Sequence, residues 1–91
     1  MRFRLPPGGD EAALLAADRR VQEEFSYQQP GLLRRTTARG EDGSWIVIVL
    51  WRSDADADAA EARAERDELA QAALALLDCS SVSVHRFQEL D

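Results

Sequence analysis

The sequence predicts an α+β fold: a four-stranded antiparallel sheet with two helices on one face. Three observations carry this. Short runs with strand character stand at both ends and in the middle of the chain. Two stretches of helical character, rich in alanine and acids, separate them. The resulting order is β-α-β-β-α-β, which defines the ferredoxin-like arrangement. The chain's 91 residues make one domain, 1–91, with no room for a second.

Each element follows from local chemistry. Met1, Phe3 and Leu5 alternate with Arg2 and Arg4, the period of a half-buried strand, until Pro6-Pro7-Gly8-Gly9 stops it. Asp10 is a suitable N-cap, and Leu14, Ala17, Val21 and Phe25 form one apolar helical stripe. Pro30 requires the helix to end before it. The span 31–39 reads as a strand, and Gly40-Glu41-Asp42-Gly43 as a hairpin turn. The span 44–52 is the strongest strand. Trp45, Val47, Val49 and Trp51 share one face, and Ile46, Ile48 and Leu50 the other. Ser53-Asp54 caps a second helix predicted to run from Ala55 to about Leu77, with a bend near Ala64-Glu65 allowed but not forced. A last strand is predicted over 81–89.

A strand apolar on both faces must be covered on both faces. Two helices cover one, and the chain has no third layer. The expected cover is a second copy: an obligate homodimer whose sheets face each other as a barrel. A chain this short hides only about 60–65% of its extended surface, so dimerisation would also help stability.

Composition narrows the functional classes. Eleven arginines stand against seventeen acids, with no lysine and no asparagine, and the net charge is −6. That argues against a nucleic-acid or anionic-membrane binder. Without lysine there is no side-chain Schiff base and no Walker motif. No transmembrane run or signal peptide is read, and Cys79 is the one cysteine, taken as structural. A cytoplasmic protein is expected, with no metal and no cofactor. Asp54, Asp56, Asp58 and Glu65 imitate a calcium loop, but Ala59 replaces the glycine its turn requires, so these acids read as a helix start.

The stretches Gln29-Pro30-Gly31-Leu32-Leu33, Glu41-Asp42-Gly43-Ser44-Trp45 and Val49-Leu50-Trp51-Arg52-Ser53 carry a family likeness. In order and spacing they resemble the antibiotic-biosynthesis-monooxygenase-like group of the dimeric α+β barrel superfamily, from about Met1 to Glu89. The resemblance implies a homodimeric barrel with a cavity between sheet and helices. In several members that cavity holds aromatic polyketides or haem, and some oxidise the ligand without a separate metal or flavin. Members with such chemistry use an asparagine near the pocket, and the haem-degrading ones also a histidine on the second helix. This chain has neither, and only Trp51 stands at a matching motif position.

The residues suggest a candidate site. Trp51 and Trp45 would form an aromatic wall for a flat ligand, with plain packing as the alternative. His85, or Tyr27, would handle a proton. Arg35, Arg39 or Arg52 would bind an acidic group, although charge pairing with the acidic helices or across the dimer is the favoured reading of the arginines. Two functional readings result. One is a small-molecule-binding barrel, in the resembling family a cofactor-independent oxygenase acting on an aromatic or hydrophobic compound. The other is a non-catalytic module whose apolar sheet face serves dimerisation or protein interaction.

Overall fold

The structure is a computed structural model describing residues 1–90. Strand β1 spans Arg2–Phe3, β2 Leu32–Arg39 and β3 Trp45–Trp51. Helix α1 spans Glu11–Glu24, α2 Asp54–Ala64 and α3 Glu68–Leu74, with 3₁₀ turns at Ser26–Gln28 and Cys79–Ser81. The sheet is antiparallel and three-stranded, in the order β1-β3-β2.

The four-stranded ferredoxin-like expectation is therefore corrected: among the described residues there are three strands and three helices. The predicted last strand fails for want of an edge to pair with. Pro6 and Pro7 lie just beyond β1, which is two residues long. Beyond it, the Arg4 N–H already donates to Ser81 Oγ (2.8 Å), and the Arg4 carbonyl accepts from the Asp78 N–H (2.9 Å). Only Ser83 pairs, exchanging two backbone bonds of 2.8 and 2.9 Å with Arg2. Arg86 is then drawn to α2, where Asp58 (2.8 Å), Glu61 (3.0 Å) and Asp54 (3.8 Å) surround its guanidinium.

The long second helix breaks in two at Asp67. Its carboxylate accepts from the Ala70 N–H (2.9 Å), so it caps a new helix instead of continuing the old one. The other caps stand where the sequence places them. Asp10 accepts from the Ala13 N–H (3.1 Å) and Ser53 from the Asp56 N–H (3.1 Å). The start of α2 is also positioned by Gly31, whose φ of +84° carries the chain close to Asp56; a Cβ there would lie 2.2 Å from the Asp56 carboxylate.

The helices cover the sheet face bearing Trp45, Val47 and Val49. Phe3, Leu14, Trp45, Val47 and Leu77 form the buried core, with Met1, Leu5, Val49 and Val82 packed against it. The helices approach closely through buried Ala57 and Ala60 of α2 and Ala70 of α3. Among the described residues no helix is long and apolar enough to cross a membrane.

The β2–β3 hairpin is closed by polar contacts. Asp42 accepts from the Ser44 hydroxyl (2.5 Å) and the Ser44 N–H (3.0 Å), and Arg4 lies 3.3 Å away. The Ser44 hydrogen bonds, with a smaller contribution from Arg4, hold its carboxyl below the ordinary aspartate value of 3.8. The hairpin support from this group is therefore present above the ordinary carboxylate range and is lost as pH falls through the lowered folded value. An NMR titration should show Asp42 protonating below that ordinary value, and Ser44→Ala should move it upward. An Asp42 titration unmoved by that substitution would contradict the assignment.

Candidate functional site

The predicted site residues fall into three separate places. The first is the edge of the sheet beside α1. In the antiparallel register Arg35 lies opposite Val49, Thr37 opposite Val47 and Arg39 opposite Trp45, so all three β2 side chains point to the helix-covered face. Arg35 turns inward to Asp18 of α1 at 2.7 Å, with the two side chains only 9% and 18% exposed. Gln22 Oε1 (3.3 Å) and Thr37 Oγ1 (3.4 Å) accept further bonds from the same guanidinium. Arg39 pairs with Glu11 and lies over the Trp45 ring, 5.8 Å from its centroid.

Between α1 and β2 runs an open groove of about 700 Å³. Its lining includes Leu15, Asp18, Arg19, Arg35, Thr37 and Arg39. The volume is within the range of ligand sites, about 300–1,000 Å³. The chemistry is less suited. Arg35 and Arg39, proposed for an acidic ligand, are each held by a carboxylate of α1. Tyr27, proposed for proton handling, is engaged with the backbone. Its hydroxyl accepts from the Arg35 N–H (3.2 Å) and stands 3.5 Å from the Arg35 carbonyl, to which it donates.

The second place is the far end of β3. Trp51 is half-buried beside a hollow of about 110 Å³ that it shares with Phe25, Leu32, Val49 and Ala60. This is well below the size of a ligand pocket. Arg52 follows at the surface, its N–H donating to the Gly31 carbonyl (2.8 Å). Trp45, its expected companion in an aromatic wall, is a core residue, buried and stacked on Phe3 with ring centroids 6.2 Å apart and planes 5° from parallel.

The third place is the segment after Ser83. His85 is exposed there, its ring 6.5 Å from that of Phe87. It lines neither the groove nor the Trp51 hollow. Cys79, read as structural, is an exposed residue of the second 3₁₀ turn. Among the described residues no group of three or more histidine, cysteine or carboxylate side chains is arranged to hold a metal ion.

Two features of the surface were missed or only half read. One is the outer edge of β2, whose exposure follows from strand order and has no signature in sequence. The other is the helix-free sheet face. Ile48 there is 56% exposed and Leu50 39%, with Ile46 between them and β1. Its apolar pattern was legible. Comparison of the chain with protein-family models, with curated proteins and with solved structures finds no match.

Proposed function

We propose that this chain is a self-associating interaction module that buries its helix-free sheet face against a second copy. The supporting observation is the exposure of Ile48 and Leu50, 56% and 39%, on a strand whose opposite face is core. Exposed aliphatic side chains on a flat β surface are what an interface core is made from. The patch is bounded by Arg2, which pairs with Ile46, and Arg34, which pairs with Leu50. An apolar centre with a charged rim is the usual anatomy of such an interface. The catalytic reading has less support, since Trp51 lines the smaller of the two hollows described above and His85 and Tyr27 line neither.

Sedimentation at micromolar concentration tests this. The wild-type chain, 10.1 kDa, should run as a dimer or larger. Ile48→Asp should weaken association by ~100-fold, about 2.7 kcal/mol, and leave the far-UV spectrum unchanged because the side chain is outside the core. A wild-type monomer at every concentration would sink the proposal.

A further inference from the structure

The two outer edges of the sheet differ. On the β1 side, Ser83, Ser81 and Asp78 take up the backbone groups of Arg2 and Arg4. On the β2 side from Arg35 to Arg39, among the described residues, Tyr27 alone takes up outward backbone groups, those of Arg35. The Gly40 N–H donates to the Ser44 carbonyl (2.7 Å), which fixes the alternation: Ala38, Thr36 and Arg34 bond to β3, while Arg39, Thr37 and Arg35 turn their N–H and C=O outward. Tyr27 satisfies Arg35. Among the described residues nothing bonds the outward backbone groups of Thr37 and Arg39. They form a short open edge, bounded by Tyr27 at one end and the hairpin turn at the other.

We propose that this edge pairs antiparallel with the same edge of a second copy, about a two-fold axis through Ala38. This register sets Thr37 opposite Arg39 of the other copy, and Arg39 opposite its Thr37. Four backbone hydrogen bonds result, and they use every free group of the edge. A shift of two residues toward β2's start would oppose Arg35, which Tyr27 already holds. Small Ala38 lies on the axis, where two side chains meet most closely.

The helices support the same occupant. Glu11 reaches Arg39 and Asp18 reaches Arg35, so Leu15 stands in the groove beside the stretch between them. Leu15 is 50% exposed. The two-fold brings one Leu15 toward the other and runs the two α1 helices antiparallel. Arg19 of each, four residues on, then faces Glu11 of its neighbour, four residues back, which is charge complementarity built from groove-lining residues. This surface is separate from the sheet face invoked above. An axis through an antiparallel strand pair runs normal to the sheet, and one between stacked sheets runs parallel to it. Used together, two such perpendicular axes close as a tetramer where they intersect, and the proposed assembly is the one in which they do.

Proline tests the edge cleanly. Thr37→Pro removes an outward donor and no bond to β3, the one setting in which a strand accepts proline. Sedimentation is run on wild type, Thr37→Pro and Ile48→Asp, with hydrogen exchange at the Arg39 amide. The expected result is a wild-type tetramer that either variant halves, with Arg39 protected in wild type and in Ile48→Asp and unprotected in Thr37→Pro. If only the edge association operates, wild type is a dimer that Thr37→Pro alone dissociates, which upholds this proposal and defeats the sheet-face reading. A wild-type dimer dissociated only by Ile48→Asp, with Arg39 unprotected, overturns the edge pairing and leaves the sheet-face reading standing. A wild-type monomer overturns both. Should Thr37→Pro fail to fold, Leu15→Glu, an exposed change at the axis, must lower the wild-type mass in the same way; an unchanged mass overturns the edge pairing.

Discussion

Trp45→Ala lowers the stability of this domain by about 4 kcal/mol, the largest loss expected of any single substitution here. The indole lies in the core, stacked on Phe3, with the Arg39 guanidinium on its remaining side. Truncation leaves a large cavity that β1, only two residues long, has little backbone to refill. A chain of this length has a total stability of roughly 5–14 kcal/mol, so the loss is a large share of the whole. Urea unfolding at fixed protein concentration measures it; concentration must be held constant because self-association adds to apparent stability. A loss under about 1.5 kcal/mol would mean that Trp45 is peripheral, and would reopen its role as a ligand-stacking wall.

Asp18→Ala follows, at about 3 kcal/mol. The Arg35 side chain is 9% exposed, and removing its carboxylate partner leaves a shielded charge with only the neutral Gln22 and Thr37 acceptors. The cost therefore lies in the orphaned cation more than in a lost attraction. That distinction has a sign that can be checked. Pairing Asp18→Ala with Arg35→Met removes the cation and keeps its hydrocarbon stem, so the double variant should recover at least half of the loss. A double variant as unstable as the sum of the two singles would refute this account. The same substitution also bears on function. Were Arg35 a ligand-binding residue restrained by Asp18, Asp18→Ala would free it to bind acidic compounds in the groove.

Some of this was legible in the sequence, and the pattern of success has a physical cause. The strand at 45–51 announces itself because its side chains report both of its faces. The grouping of Trp45, Val47, Val49 and Trp51 on one face follows from alternation alone; that this face is the one turned to the core does not, because both faces are apolar. The caps at Asp10 and Ser53 are local events between a side chain and a nearby N–H, and local events are readable. Charge pairing of the arginines, with the acidic helices or across a dimer, required only charge balance to foresee, and Arg35 and Arg39 take the first of these, pairing with α1.

What failed depended on partners distant in sequence. The alternation after Ser81 has strand period, but a strand needs an edge, and the edge of β1 is closed after Arg4. His85 was placed mid-strand on that reasoning and stands instead on an exposed segment. The helix break at Asp67 had a signal, an N-cap residue followed by Glu68, which alanine-rich surroundings masked. Tyr27 contacting the backbone of Arg35 could not be foreseen, because it depends on how the first 3₁₀ turn settles against β2.

That last contact bears on how far such a protein can assemble. A bare edge along all of β2 would accept extended chain in several registers, and copies that add in shifting registers have no reason to stop. One phenol oxygen occupying both backbone groups of Arg35 denies most of those registers. The difference between a particle of fixed size and a growing fibre can thus rest on a side chain that is neither in the core nor in a catalytic site.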